Sequence, residues 1–267
     1  MMRFAISNIA WGAEDDPCVL SALPSHGCQA LEIAPTRVLP ETPYKRLPEA
    51  RAFAKKLLEE TGLSVCSMQS IWYRRGESIF GTPGEIDALI EYTKEAVLFA
   101  EAVGCPNLVF GSPKNRIVPE GRKGEEAAGF FRAIGDFAAE HGAAIALEAV
   151  PVSYGTNFLN RTDDLCDYVR MVGSKGLKMN LDFGTMLVNG EDVGDIARFI
   201  PWVNHVHISE NQLVGIERRE EHRTFLRALR DGGYERCVSI EMRNQEDADK
   251  VLAIVDYVHG LLAEIDG

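Results

Sequence analysis

Short apolar runs alternate with longer, helix-patterned segments along the whole chain, and the alternation occurs eight times. The runs are RFAISNI, QALEIA, LSVCSMQSI, NLVFGSP, AIALEAV, LKMNLDFG, VNHVHIS and CVSIEM. Segments such as RLPEARAFAKKLLEETG, GEIDALIEYTKEAVLFAEAVG and EEAAGFFRAIGDFAAEHG lie between them and carry apolar residues at helical spacing. They close on Gly62, Gly104 and Gly142, since glycine tolerates the left-handed backbone of a helix C-terminal cap. Repeated strand–helix units imply a parallel sheet, because each helix carries the chain back to start the next strand in the same direction. The principal rival, an open doubly wound sheet, usually announces itself by G-x-G-x-x-G after the first strand. Here that turn reads SNIAWGAEDD and lacks the glycines.

Eight such units in 267 residues therefore point to an α/β fold, a closed (β/α)8 barrel over residues 1–267 as a single domain. No Pro/Ser-rich linker or low-complexity run divides the chain. The longer loops, at 34–44, 72–83 and 112–123, each follow a strand. Hydrophobic residues make up 46% of the sequence, enough for the sizeable core such a barrel buries. A net charge of -12 argues against a nucleic-acid partner or an anionic membrane surface, although a local cluster of opposite sign could still hold an anionic substrate. No apolar stretch approaches the length needed to span a bilayer. The six cysteines are scattered without a C-x-x-C pair, which reads as free thiols in a reducing compartment. The opening MMRFAISNIAWG is too polar for a signal peptide, so a cytoplasmic location is expected and the N-R-T sequon at Asn160 carries no meaning.

The late strands share a second pattern. Side chains alternate between the two faces of a strand, so residues two apart point the same way. In AIALEAV, Ile145 and Leu147 oppose Ala144, Ala146 and Glu148. In LKMNLDF, Met179, Leu181 and Phe183 oppose Asn180 and Asp182. In VNHVHIS, Val206 and Ile208 oppose His205 and His207. In CVSIEM, Val238, Ile240 and Met242 oppose Ser239 and Glu241. The large apolar set suits packing against outer helices, which turns the small and polar set into the barrel. Glu148, Asp182, His207 and Glu241 then gather at the C-terminal ends of strands five to eight, where barrels of this kind carry their active sites. Three converging carboxylates would repel one another, and a divalent cation resolves the conflict. Three oxygens and one imidazole suit Mn²⁺, Mg²⁺, Co²⁺ or Zn²⁺. Taken singly, each residue has a blander reading: a paired structural carboxylate, a helix-capping Asp, a core histidine. His205, one layer deeper than His207, is expected to support the site from below or to belong to the core.

The segments ALEAVP, NLDFGTM, HVHISE and SIEMR resemble the xylose-isomerase-like TIM-barrel superfamily of sugar-phosphate isomerases and epimerases, which also contains AP endonucleases and inosose dehydratases. LEIAPTR, SMQSIWY, FGSPKNR and YGTNF resemble, more narrowly, a subgroup described only as sugar-phosphate isomerases or epimerases. The resemblance implies that Glu148, Asp182, His207 and Glu241 are metal ligands, and that Glu148 and Glu241 also move the proton, one from each side of the substrate carbon. It implies a small-molecule carbohydrate substrate and a homo-oligomer as found among relatives. Two positions depart from the pattern. Many members have Asp-x-x-His on strand six, where this chain has Thr185. The ketohexose epimerases have an Arg six residues after the strand-seven His, where this chain has Leu213. These departures argue against free-ketohexose epimerisation and against the three-metal DNA-repair branch.

The chemistry expected of such a site is abstraction of a proton next to a carbonyl, with the cation polarising that carbonyl and stabilising an enediolate. Carboxylates on opposite faces would favour epimerisation, and one-sided transfer would favour aldose–ketose isomerisation. Loss of a β-hydroxyl from the same enediolate would give a dehydratase, and a retired barrel would merely bind sugar. Around the same rim, Glu32 and Gln69 are candidates to hold substrate hydroxyls, and Trp72 to wall the pocket. Lys114 and Arg116 are candidates to hold a phosphate or carboxylate. Tyr154 and Asn157 could supply hydrogen bonds, Glu210 could bind substrate or a water, and Arg243 could meet a substrate anion or orient Glu241. Each also has an ordinary structural alternative as a loop anchor, solvated charge or ion pair.

Overall fold

The computed structural model describes residues 1–266. Eight parallel strands, β1 (Arg3–Ser7), β2 (Ala30–Ile33), β3 (Ser64–Met68), β4 (Asn107–Phe110), β5 (Ala144–Glu148), β6 (Leu177–Asp182), β7 (Val203–Ile208) and β8 (Cys237–Ile240), pair in sequence order and close, β8 against β1. The closed (β/α)8 architecture expected from the alternation is the observed one.

Helices cover the outside: α1 (Asp16–Ala22), α2 (Pro35–Val38), α3 (Leu47–Thr61), α4 (Pro83–Val103), α5 (Ala128–Glu140), α6 (Thr162–Val172), α7 (Phe183–Val188), α8 (Glu220–Asp231) and α9 (Ala248–Asp266). Their ends follow local chemistry. Thr82 and Glu85 form a reciprocal capping box at the start of α4, satisfying two backbone donors that have no partner inside the helix. Gly62 (φ 75°) and Gly104 (φ 69°) end α3 and α4 in the left-handed region as the sequence suggests. Helix α8 buries His222, Phe225, Leu226 and Leu229, the i, i+3, i+4, i+7 stripe of one helix face.

The strand faces divide as alternation requires. Leu147, Met179, Leu181, Val206, Ile208, Val238 and Ile240 are buried between the barrel and its helices. Inside, the layers change in character along the axis. At the N-terminal end, Ala5, Ala30, Cys66 and Cys237 form a small apolar floor separate from the main core. Above it, Ser7, Glu32 and Ser67 meet in one register layer across β1, β2 and β3. Asn180 pairs with His205, and Asp182 with His207, across β6 and β7. The polar interior is thus graded toward the C-terminal mouth, where the longer loops open.

Candidate metal centre and active site

The quartet converges. One ligand atom from each of Glu148, Asp182, His207 and Glu241 lies within 4.8 Å of the other three. Glu148 and Asp182 are the last residues of β5 and β6, and His207 is the last but one of β7. Glu241 follows β8 directly, and its N–H still bonds to the Ile208 carbonyl at 2.9 Å, so the ladder carries it into line. Nδ1 of His207 is the centre of the group, 3.2 Å from Glu148 Oε1 and 3.2 Å from Glu241 Oε2.

Each ligand is held by a different local device. Asp182 is also the N-cap of α7: its Oδ1 accepts the Thr185 N–H at 2.6 Å, and its Oδ2 accepts the Ser209 hydroxyl at 2.6 Å. The capping and metal-ligand readings of this residue are therefore compatible. Glu148 Oε1 accepts from Asn180 Nδ2 at 2.6 Å. Glu148 Oε2 faces Gly111, where any Cβ would stand 2.9 Å from it. Gly184 has the same significance beneath Asp182, since a Cβ there would come within 2.4 Å of Ser209 Oγ.

The electrostatics are those of a site short of positive charge. Burial, together with the neighbouring Glu148 carboxylate, pushes Asp182 up to about 6. Burial first, with Glu32 and Asp182 adding repulsion, raises Glu241 above the usual carboxylate range. Burial alone would lower His207, but Glu32 and Glu241 outweigh it and hold the imidazole well above its ordinary value. A dication placed among these donors would relieve all three perturbations, and three carboxylates with one imidazole match the hard-to-borderline ions Mn²⁺, Mg²⁺, Co²⁺ and Zn²⁺. The residues fit such an ion.

Above the quartet opens a cavity of about 470 Å³. Glu148, Asp182 and Glu241 form part of its floor, and Gln69, Trp72, Lys114, Tyr154 and Glu210 line its walls, as do Thr185 and Leu213. Trp72 is fixed by its indole N–H to Thr93 Oγ1 at 2.9 Å and by an edge contact with Phe110. Gln69 Nε2 reaches Ser7 Oγ at 3.3 Å. The Tyr154 hydroxyl accepts the Gln212 N–H at 2.6 Å, tying two loops across the mouth. Glu210 is neutralised by Arg219, whose Nε and Nη2 lie 2.7 and 2.9 Å from its oxygens.

Four candidate substrate contacts fall elsewhere. Glu32 is fully buried below the quartet, with its Oε2 3.0 Å from Nε2 of both His205 and His207. Its position on β2, level with Ser7 and Ser67, is a whole layer too deep for the cavity. Arg116 turns inward from the loop and is completely buried, with Nη1 donating to the Glu148 carbonyl at 2.8 Å. Burial lowers it to about 10. Asn157 pairs with both backbone groups of Val118, at 2.8 and 3.0 Å, and so staples loops together. Arg243 is exposed and outside the cavity lining, because the chain leaves strand geometry after β8; its N–H bonds to the Leu213 carbonyl instead.

Three residues not singled out for the site take part in it. Asn180 and Ser209 hold ligand oxygens, and Arg74 lines the cavity. Asn180 was legible as the inward neighbour two before Asp182. Ser209 and Arg74 lie past strand ends, where alternation gives no direction.

A family model described as xylose isomerase-like TIM barrel matches residues 20–257. A Mus musculus protein named "Putative hydroxypyruvate isomerase" is 27% identical, the alignment covering 92% of this chain and 91% of that protein. A Homo sapiens protein of the same name is also 27% identical over the same shares. Among solved structures, a 3-keto-D-glucoside 4-epimerase from E. coli superposes with a TM-score of 0.76 at 18% identity, covering 98% of this chain and 100% of that one. A D-psicose 3-epimerase from Clostridium cellulolyticum H10 gives a TM-score of 0.78 at 16% identity, covering 98% and 99%. At such identities the two structures speak to the fold.

Proposed function

The chain belongs to the xylose isomerase-like TIM barrel family, and from that premise we propose that it is a divalent-metal-dependent isomerase or epimerase of a small sugar, sugar phosphate or related hydroxy-carbonyl compound. The observation that carries this reading is the convergence of Glu148, Asp182, His207 and Glu241 on the floor of one cavity. When bound there, the cation would supply positive charge for a substrate carbonyl oxygen and for the enediolate formed from it.

The chain's own carboxylates divide the remaining work. Both oxygens of Asp182 are engaged by Thr185 and Ser209, which suits a fixed ligand and leaves it poorly placed to trade protons. Glu148 and Glu241 stand on either side of His207 and line the cavity floor. Among the described residues Glu148 Oε2 has no hydrogen-bond partner, so it is free to take a proton from a carbon beside the carbonyl. Return of a proton by Glu241 from the opposite face inverts that carbon. Return to the adjacent carbon moves the carbonyl along the chain. Trp72 and Tyr154 wall the cavity against bulk water.

The cavity also carries charge suited to an anionic group on the substrate. Arg75 lines it but is paired with Glu77. Lys114 and Arg74 line it and, among the described residues, neither enters an ion pair; Arg74 only lies over the Tyr73 ring. In place of the Lys114 and Arg116 pair anticipated from sequence, Lys114 and Arg74 are the cations at hand for a carboxylate or phosphate. The relatives named for hydroxypyruvate, itself a carboxylate, agree with this.

The test is incubation of the Mn²⁺-loaded protein in D₂O with hydroxypyruvate and a panel of ketoses, aldoses and their phosphates. Metal-dependent deuterium uptake at one carbon, abolished in E148Q and E241Q, is expected. Absence of both exchange and conversion with every substrate overturns the reading.

A further inference from the structure

Beneath the quartet, and sharing His207 with it, lies a second group of buried ionisable side chains, of which Glu32 and His205 are not used by the proposed chemistry. All three are at most 1% exposed. Glu32 Oε2 stands 3.0 Å from Nε2 of each histidine, and the two rings are perpendicular, with centroids 5.2 Å apart. Three donors gather here too, but a single carboxylate oxygen faces both ring nitrogens. Three protein donors in a fully buried layer, two of them facing the same oxygen, are poor terms for a second ion. Protons suit the spacing better: His207 presents Nε2–H to the carboxylate oxygen, while His205 Nε2 lies at the same distance from that oxygen without completing a hydrogen bond.

The consequence for His207 is directional. Its Nε2 is turned down to Glu32, and its Nδ1 is turned up to the quartet. A neutral imidazole carries its proton on one nitrogen only, so a carboxylate that claims Nε2–H leaves the Nδ1 lone pair for the cation. Asn180 agrees with this choice. Its Nδ2, identified as the amide nitrogen by its bond to Glu148, lies 3.0 Å from Nδ1 and can donate to that lone pair until a cation takes its place. Carboxylate, histidine and metal in series fix ring orientation and make the ligating nitrogen more basic.

We infer that Glu32 is a positioning residue for the metal centre, setting the tautomer and aim of His207, with His205 packed beside the same carboxylate. The inference rests on the metal-dependent reading of the quartet. It reassigns the strand-two glutamate from the substrate to the support of a ligand.

The experiment measures metal binding rather than turnover. Mn²⁺ affinity is titrated calorimetrically in wild type and E32Q, with circular dichroism as the folding control. Gln keeps the size and an acceptor oxygen but loses the charge, and the expected result is about 10–100-fold weaker binding. Equal affinities in wild type and folded E32Q overturn the role of Glu32 and leave the metal centre standing. No Mn²⁺ binding by wild type overturns the metal reading itself. Should E32Q fail to fold, ¹⁵N-detected histidine spectra of the Zn²⁺-loaded wild type decide. A proton on Nε2 of His207 with Nδ1 ligated supports the inference, and the reverse arrangement overturns it.

Discussion

Asn180 Nδ2 donates to Glu148 Oε1 over 2.6 Å, so the carboxylate proposed to move the proton is aimed by its neighbour on the adjoining strand. The same amide lies 3.0 Å from His207 Nδ1. One side chain thus orients two of the four proposed ligands without being a ligand itself. In N180A the Glu148 side chain loses its aim while the cavity wall is untouched. We expect kcat to fall about 10–100-fold with a smaller change in KM, as for loss of a group that positions a ligand. Steady-state kinetics on the substrate found by deuterium exchange checks this, and an unchanged kcat contradicts it.

If the quartet holds a cation as proposed, stability follows metal. A cation that binds only the folded chain stabilises it by about 2.7 kcal/mol at a hundredfold excess over Kd. For a chain of this size that corresponds to a rise in Tm of roughly 5–10 °C. Differential scanning fluorimetry with EDTA and then Mn²⁺ measures it. E241Q should abolish most of the rise, because the carboxylate faces His207 Nδ1 at 3.2 Å and is raised by burial first and by its Glu32 and Asp182 neighbours after it.

Lys114 and Arg74 are expected to act on binding of the anionic group and on little else. K114A and R74A should each raise KM for a carboxylate or phosphate substrate about tenfold, leaving kcat within a factor of two or so. Any neutral substrate should respond far less. Inorganic phosphate as a competitive inhibitor offers a second reading, with weaker inhibition in both variants.

His222 gives a pH dependence separate from catalysis. It is buried in α8 against Phe183, its Nδ1 3.0 Å from the Tyr257 hydroxyl, and burial lowers it to about 4. The unfolded chain takes up this proton near pH 6.5, and the folded chain holds out until about pH 4. Its contribution is therefore fully present above pH 6.5 and is lost as pH falls toward 4, up to about 3 kcal/mol. Urea denaturation of wild type and H222Q between pH 7 and 4.5 should show the variant less stable at neutral pH and less sensitive to acid. Parallel pH profiles would contradict the assignment.

The barrel and the quartet were legible because both rest on periodicity. Alternation fixes which way Glu148, Asp182 and His207 point, and parallel pairing then brings successive strand ends together. Depth and loops were not legible in the same way. Glu32 shares an inward face with Ala30, but sequence does not say that a barrel's stagger sets it a layer below the mouth. Arg116 and Lys114 are two apart on one short loop, yet a single 3-10 turn (Pro113–Arg116) directs one into the cavity wall and buries the other. Arg74 has a positive φ of 64°, a backbone choice that no spacing rule anticipates.

The small layer of Ala5, Ala30, Cys66 and Cys237 is buried inside the barrel beneath the site. Substrate, product, metal and solvent hydrogen must then share one doorway. A proton taken up by either glutamate has only that opening through which to trade places with bulk deuterium. Where one glutamate both takes and returns the hydrogen, the proportion of label in the first-formed product would report how long the doorway stays blocked by the molecule being transformed, and lengthening that occupancy should drive the transfer toward complete retention of the original hydrogen.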